Sequence, residues 1–253
     1  MADRERYPHY IEFRHLSKGF DQPVLVDCSF WLDPGETLGI IGRSGVGKSV
    51  ALSHMMGFLK PDEGRVIVAH EDITDYSESE LNRIRRKVTM VFQSGALFDS
   101  LTVGENVAFP LESREYTPQN IDEVVGGLLK MVELEEYKDV LPAQLPTGLK
   151  RAVAIARALA AEPEAILYDE PTTMVDPPMA EHVGDLIRRL KGQLRLTSVV
   201  VTHDLTLLYK VADKVVFLEE GRVIFFGELE EMARAGHATI QEFLTLDRLQ
   251  TVG

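Results

Sequence analysis

Gly42-Arg43-Ser44-Gly45-Val46-Gly47-Lys48-Ser49 is a glycine-rich run closed by a lysine and a serine, and its flanks decide how it reads. Residues 37–41 before it are an apolar stretch of strand character, and 48–59 after it are apolar at helical spacing. A strand, a G-x-x-x-x-G-K-S loop and a helix, in that order, form a phosphate-binding loop. Glycines let the backbone wrap closely round an anion and aim N–H groups at it, and the helix N-terminus adds partial positive charge. Lys48 is expected to reach the β- and γ-phosphates of a nucleotide, and the Ser49 hydroxyl to ligate Mg²⁺. The bland alternative is a chance glycine turn before a helix, which the flanking strand and helix argue against.

Further along, Ala165-Ile166-Leu167-Tyr168-Asp169-Glu170 is an apolar strand ending in two carboxylates. Alone it fits an acidic turn closing any strand. Beside a phosphate loop it fits Asp169 holding the metal and Glu170 polarising an attacking water as general base.

Working outward, residues 10–13 and 24–32 read as strands, with Pro34-Gly35 turning the chain into 37–41. Pro61-Asp62-Glu63-Gly64 ends the first helix and leads to a strand at 65–69, and 88–92 is a short buried strand. From about 102 to 141 the periodicity is helical, broken by Pro110 and Pro118, and reads as a separate helical lobe. Residues 149–161 and 180–191 read as helices, and 198–202 as a buried strand. A hairpin follows, with strands 214–219 and 222–226 about Glu220-Gly221, and then helix over 228–249. Strands alternating with helices imply a parallel sheet, with antiparallel strands added near the N-terminus.

Composition sets the outer bounds. At 253 residues the chain can bury a sizeable core, and 45% hydrophobic with 26% charged residues is globular composition. A net charge of −13 speaks against non-specific attraction to nucleic acid or anionic lipid, so a nucleotide must be held by local groups. The lone Cys28 excludes an intrachain disulfide, suits a reducing cytosol and reads as a buried thiol in a strand. Residues 1–10 are charged with no apolar core, so no leader is expected, and no apolar run is long enough to span a membrane. The other histidines (His9, His15, His54, His70, His182, His237) show no ligand spacing. Trp31 reads as a core aromatic, and Arg83, Arg85, Arg86 and Lys87 as a solvated face.

The phosphate loop, Gln93 after an apolar strand, Asp169-Glu170-Pro171-Thr172, Val175-Asp176 and Val201-Thr202-His203-Asp204 stand in the order seen in ABC ATPases. The chain resembles that family from about residue 10 to 244. The resemblance implies one ABC nucleotide-binding domain over 1–253, with a helical lobe at about 95–160 and a tail at about 228–253. Its fold is an α/β P-loop NTPase core with a parallel sheet, an N-terminal antiparallel β subdomain and an inserted α-helical subdomain. The resemblance further implies ATP binding by Phe20 (adenine stacking), Gly42, Arg43, Ser44, Gly45, Val46, Gly47, Lys48, Ser49, Val50 and Gln93. Catalysis falls to Lys48, Glu170 and His203, which orients Glu170 and contacts the γ-phosphate. Mg²⁺ falls to Ser49, Gln93 and Asp169, and Asp176 to a dimer interface.

One motif departs. Where the family carries Leu-Ser-Gly-Gly-Gln, which closes on the ATP of the partner subunit, this chain has Leu145-Pro146-Thr147-Gly148-Leu149. Pro146 offers neither hydroxyl nor N–H, and Thr147 is β-branched where the backbone must come close. Hydrolysis at the composite site is therefore in question, and ATP binding is not.

Residues 92–103 and 105–111, with Thr239-Ile240-Gln241-Glu242-Phe243-Leu244, resemble the ATPase subunit of Mla-type lipid transporters. That resemblance implies an integral membrane permease, an MCE-domain protein, a second ATPase copy and a place on the cytoplasmic face of the inner membrane. The alternatives are the ATPase of a transporter for another substrate, a non-transport ABC regulator, and a nucleotide-binding scaffold of low turnover.

Overall fold

The computed structural model describes residues 5–112 and 117–250. The predicted helical lobe and tail each extend into residues outside that set, at 113–116 and 251–253.

Two sheets carry the fold. The first is antiparallel in the order β2-β1-β4-β5, from β1 (Ile11–Gly19), β2 (Pro23–Leu32), β4 (Glu63–Val68) and β5 (Glu71–Asp72). The second runs β10-β9-β3-β8-β7-β6, from β3 (Thr37–Ile41), β6 (Val88–Val91), β7 (Ala165–Asp169), β8 (Thr197–Val201), β9 (Lys214–Glu219) and β10 (Arg222–Glu228). All neighbours in it are parallel except the β9–β10 hairpin. Strands β3 and β8 are buried at every position, as a sheet covered on both faces requires.

Strand β1 runs further than the 10–13 expected, because register shifts after Phe13 break the alternation that marks a strand in sequence. His15 and Asp27, both at positive φ, pair across that irregularity at 2.7 Å. Alternation along β2 turns Leu25, Cys28, Phe30 and Leu32 inward. Trp31 therefore faces outward, 41% exposed and edge-on to Phe226, and is not the core aromatic expected.

The helices are α1 (Lys48–Met55), α2 (Glu78–Lys87), α3 (Val103–Ala108), α4 (Pro118–Met131) and α5 (Thr147–Ala160), then α6 (Pro177–Leu194), α7 (Leu205–Val211), α8 (Leu229–Arg234) and α9 (Ala238–Gln250). Five begin at caps, with Thr102 on α3 and Thr117 on α4 among them. Ser77 and Glu80 form a capping box on α2, Asp176 caps α6 ahead of a proline, and Asp204 caps α7. The single helix expected over 228–249 is two, since α8 stops at Arg234 and α9 begins at Ala238.

One core cluster lies between the antiparallel sheet, α1 and the first face of the parallel sheet, with Phe13, Phe30, Leu52 and Val199. A second unites the helical lobe with the other face, through Val107, Leu129, Ile155, Tyr168 and Leu186. A third docks the tail, with Ile240 and Leu244 against Phe217 and Met232. No helix among the described residues is long and apolar enough to cross a membrane.

Candidate nucleotide site

Strands β3, β6, β7 and β8 point the same way, so the loops leaving their carboxyl ends gather along one edge of the sheet. Pairing sets the alignment: Val91 stands opposite Tyr168, Asp169 opposite Val201, and Val201 opposite Ile40. The phosphate loop, Gln93, Asp169-Glu170 and His203 are each the next residues out. Ligands of open α/β sheets bind at such an edge. A cavity of about 590 Å³ opens there, lined by Gly42, Lys48, Ser49, Gln93, Glu170 and His203 among others.

The loop's glycines are needed for two reasons. Gly42 has φ +147, and a Cβ on it would stand 2.3 Å from the Leu218 carbonyl oxygen. Gly47, the left-handed residue preceding α1, has φ +104, and a Cβ there would meet Leu25 at 2.7 Å. Lys48 opens α1, is buried, and donates to the carbonyls of Gly42 at 2.8 Å and Arg43 at 3.1 Å. The ammonium is thus folded into the loop, 3.9 Å from Glu170 Oε1. Burial holds it below the usual lysine range, against the opposing pull of Glu170 and Asp169.

The two carboxyls at the end of β7 are driven apart. Burial and the charge of Glu170 raise Asp169, although a hydrogen bond from Ser49 Oγ at 3.3 Å and the nearby Lys48 oppose it. Burial would raise Glu170 too, but His203, the Thr173 hydroxyl and Lys48 together bring it below its ordinary value. His203 Nδ1 lies 2.9 Å and Thr173 Oγ1 3.0 Å from the same oxygen, Glu170 Oε2. The bond to Glu170 holds the imidazole above its ordinary value despite burial. Adjacent carboxyls with separated affinities for protons suit separate tasks.

Asp169 is short of positive charge and shares Ser49 as a neighbour. That is the donor set a hard, oxygen-preferring cation such as Mg²⁺ would complete together with phosphate oxygens. Among the described residues no three His, Cys, Asp or Glu side chains converge tightly enough to hold a metal alone.

Not every expected residue reaches the cavity. Phe20 follows the end of β1, its backbone N–H bonded to Gln22 O, and its ring stands 61% exposed over Lys18 Nζ rather than in the cavity wall. Val46 and Val50 both pack against the first core cluster, and of the two Val50 lines the cavity. Pro146, Thr147 and Gly148 start α5 and do not line it, and the Asp176 carboxylate accepts the Met179 N–H at 3.2 Å. Phe243 of α9 does line it, and Glu242 beside it pairs with Arg43 of the loop at 2.8 Å. Neither residue carries a sequence signal pointing to the cavity, because the stretch around them reads only as helix.

The family model for ABC transporters matches residues 25–173, more than half of the chain. The methionine import ATP-binding protein MetN 1 of Burkholderia pseudomallei (strain 1710b) is 38% identical over 242 residues, 94% of this chain and 70% of that protein. Among solved structures, a dimeric ATP-binding cassette in a post-hydrolysis state bound to ADP and Pi superposes with a TM-score of 0.78 at 32% identity, over 87% of this chain and 98% of that one. CbiO1 of Clostridium perfringens, part of an ABC transporter complex, gives 0.84 at 29% identity, over 96% and 98%. With the phosphate loop, the paired carboxylates and the histidine gathered on one sheet edge, the chain belongs to the ABC transporter family as one of its ATP-hydrolysing cassettes.

Proposed function

We propose that two copies of this chain close on two ATP molecules, hydrolyse them and so drive a membrane permease from its cytoplasmic face. The observation that carries this is the meeting of Lys48, Gln93, Glu170 and His203 in one cavity that the chain's own Pro146–Gly148 segment does not line. A second copy would bring that segment to the open side.

In this reading the loop N–H groups and Lys48 hold the phosphates, and Phe20 meets the adenine from outside the cavity wall. Ser49, Asp169 and Gln93 would hold Mg²⁺, which when bound would neutralise phosphate charge. Glu170 accepts the proton of the attacking water. His203 fixes the carboxylate's orientation and faces the γ-phosphate. The charge that develops is met by groups already in place. The test is ATP turnover by the purified chain, with Glu170→Gln as control. Equal rates in the two would remove Glu170 from the base role.

Residues 95–111 contribute to the permease-facing surface in this reading. Phe98 and Phe109 stand 4.6 Å apart, each about half exposed, just beyond Gln93, where a change at the γ-phosphate reaches the surface. Charged substitutions at Phe98 and Phe109 should uncouple ATPase activity from the permease.

For the cargo, the named relatives support a substrate other than lipid. The relative that aligns with 94% of this chain is a methionine import ATP-binding protein, which favours a small-solute system. Lipid cargo with an MCE-domain partner is the second reading, resting on the resemblance of residues 92–111 and 239–244 alone. Reconstitution with the permease encoded beside it separates them. Stimulation of ATP turnover by methionine with its binding protein supports the first, and stimulation by phospholipid supports the second.

A further inference from the structure

Arg151 is a buried cation that the proposed chemistry does not use. It sits one turn into α5, is 4% exposed, and has no carboxylate within ion-pairing distance among the described residues. Its Nε is buried without a hydrogen-bond partner, and Nη2 makes one long bond, 3.4 Å, to the Thr173 carbonyl. Nη1 passes Gly95, where a Cβ would stand 3.6 Å from it. A buried guanidinium so poorly compensated is destabilising, so its place calls for a role other than stability.

The loop it touches is strained. Glu170 and Met174 both adopt left-handed backbone, at φ +48 and +61, and neither is glycine. Such residues persist only where the surroundings hold them. Thr173 lies between them, and its hydroxyl donates to Glu170 Oε2 at 3.0 Å. The Arg151 bond to the Thr173 carbonyl fixes the residue whose side chain holds the base.

We propose that Arg151 is a positioning residue for Glu170, acting through Thr173 and tying the base loop to the helix that begins at Thr147. Arg157, two turns on, donates to the Gly95 and Ala96 carbonyls at 3.0 and 2.8 Å, so α5 grips the loop after Gln93 as well. Helix α5 therefore touches both loops of its own site, while its first turn is the segment offered to the partner's ATP. The proposal rests on Glu170 being the base.

The test uses the full chain. Arg151→Met keeps the length of the side chain and removes the buried charge. The expected result is a melting temperature equal to or above wild type, an ATP KM within about threefold, and kcat lowered by about 10- to 100-fold, the scale of a displaced catalytic group. Thr173→Val should lower kcat into the same range. The double variant should be no slower than the slower single, since both break one chain of contacts. Arg151→Lys, which keeps charge but loses the planar fork, supplies the same split of kcat from KM if the methionine variant does not fold. Wild-type kcat in the folded Arg151 variant or in Thr173→Val, or full multiplication of the two losses, would overturn the proposal. Glu170→Gln is run alongside. If it turns over normally, the base assignment fails. If it is inactive while Arg151→Met is unimpaired, only the role of Arg151 fails.

Discussion

His203 Nδ1 stands 2.9 Å from Glu170 Oε2, joining the residues that follow two neighbouring strands, β8 and β7. The bond reaches across the sheet edge between two residues that line the cavity. Each partner shifts the other: the imidazole is held above its ordinary 6.5, and the carboxyl below its ordinary 4.5.

A pH signature follows from those directions. The histidine's contribution to stability is full below 6.5 and is lost as pH rises through its raised pKa. The glutamate's contribution is present above 4.5 and is lost as pH falls through its depressed pKa. Both act together in the window between. His203→Ala should therefore lower the melting temperature of the nucleotide-free protein most near pH 5.5 and little at pH 9. His203 is 60% exposed, so the screened pair is worth only ~0.5 kcal/mol, or about 1–2 °C. Equal losses at both pH values would mean that the bond carries no ionic component.

Glu170→Gln should keep ATP binding and lose at least about 100-fold in kcat. The amide fills the same space and still meets His203 and Thr173, but it cannot take a proton from water. Chromatography with ATP and Mg²⁺ should then show a stable dimer, because closure is no longer followed by hydrolysis. A monomer under those conditions, together with normal ATP binding, would count against closure by two copies.

Lys48→Ala should remove turnover while the protein stays folded. The ammonium is buried beside Asp169 and Glu170, and its loss takes the concentrated positive charge from the phosphates, ~3 kcal/mol or more of transition-state stabilisation. Turnover within tenfold of wild type, in a variant with an unchanged circular dichroism spectrum, would show that the loop is not a phosphate site.

What could be read in advance divides on physical lines. The parallel core and its four loops were legible because fully apolar strands ending in polar groups are local signals, and the sheet brings their ends together without further information. Strand β1 past Phe13 was not, because a shifted register erases alternation. Helix α2 carries a Ser77-x-x-Glu80 box, a local signal of its start that is legible in the sequence. Trp31 faces outward because the phase of its strand, not its aromatic character, decides which face it takes. Arg151 and the Glu242–Arg43 pair could not be seen at all, since they join segments far apart in sequence, and periodicity carries no such information.

The altered Pro146-Thr147-Gly148 segment yields the sharpest measurement. Proline is well tolerated as a helix's first residue, but here Pro146 is the N-cap, at ψ 154 and without a side-chain bond, and Thr147 takes the first helical position. The first N–H groups of α5 are thus free of a side-chain cap, which suits an anion. Gly148 is fixed from behind: a Cβ there would stand 2.7 Å from Met179 Cβ, so the residue is required by packing against α6 whatever it does for ATP. Pro146→Ser with Thr147→Gly would restore a cap side chain and a hydroxyl donor and relieve crowding at the backbone. Losing one such donor in isolation costs about 100-fold or more in rate. Because the helix N-terminus and Lys48 still act on the phosphate, restoring it should raise turnover by less, about 3- to 30-fold at saturating ATP. A clear rise identifies a homodimer slowed by its own closing segment. Activity that appears only when a second ATPase subunit is added identifies a heterodimer, in which the partner supplies the intact segment. Full activity in the wild type with no gain in the double variant would mean that the uncapped turn of α5 already supplies what the serine provides elsewhere.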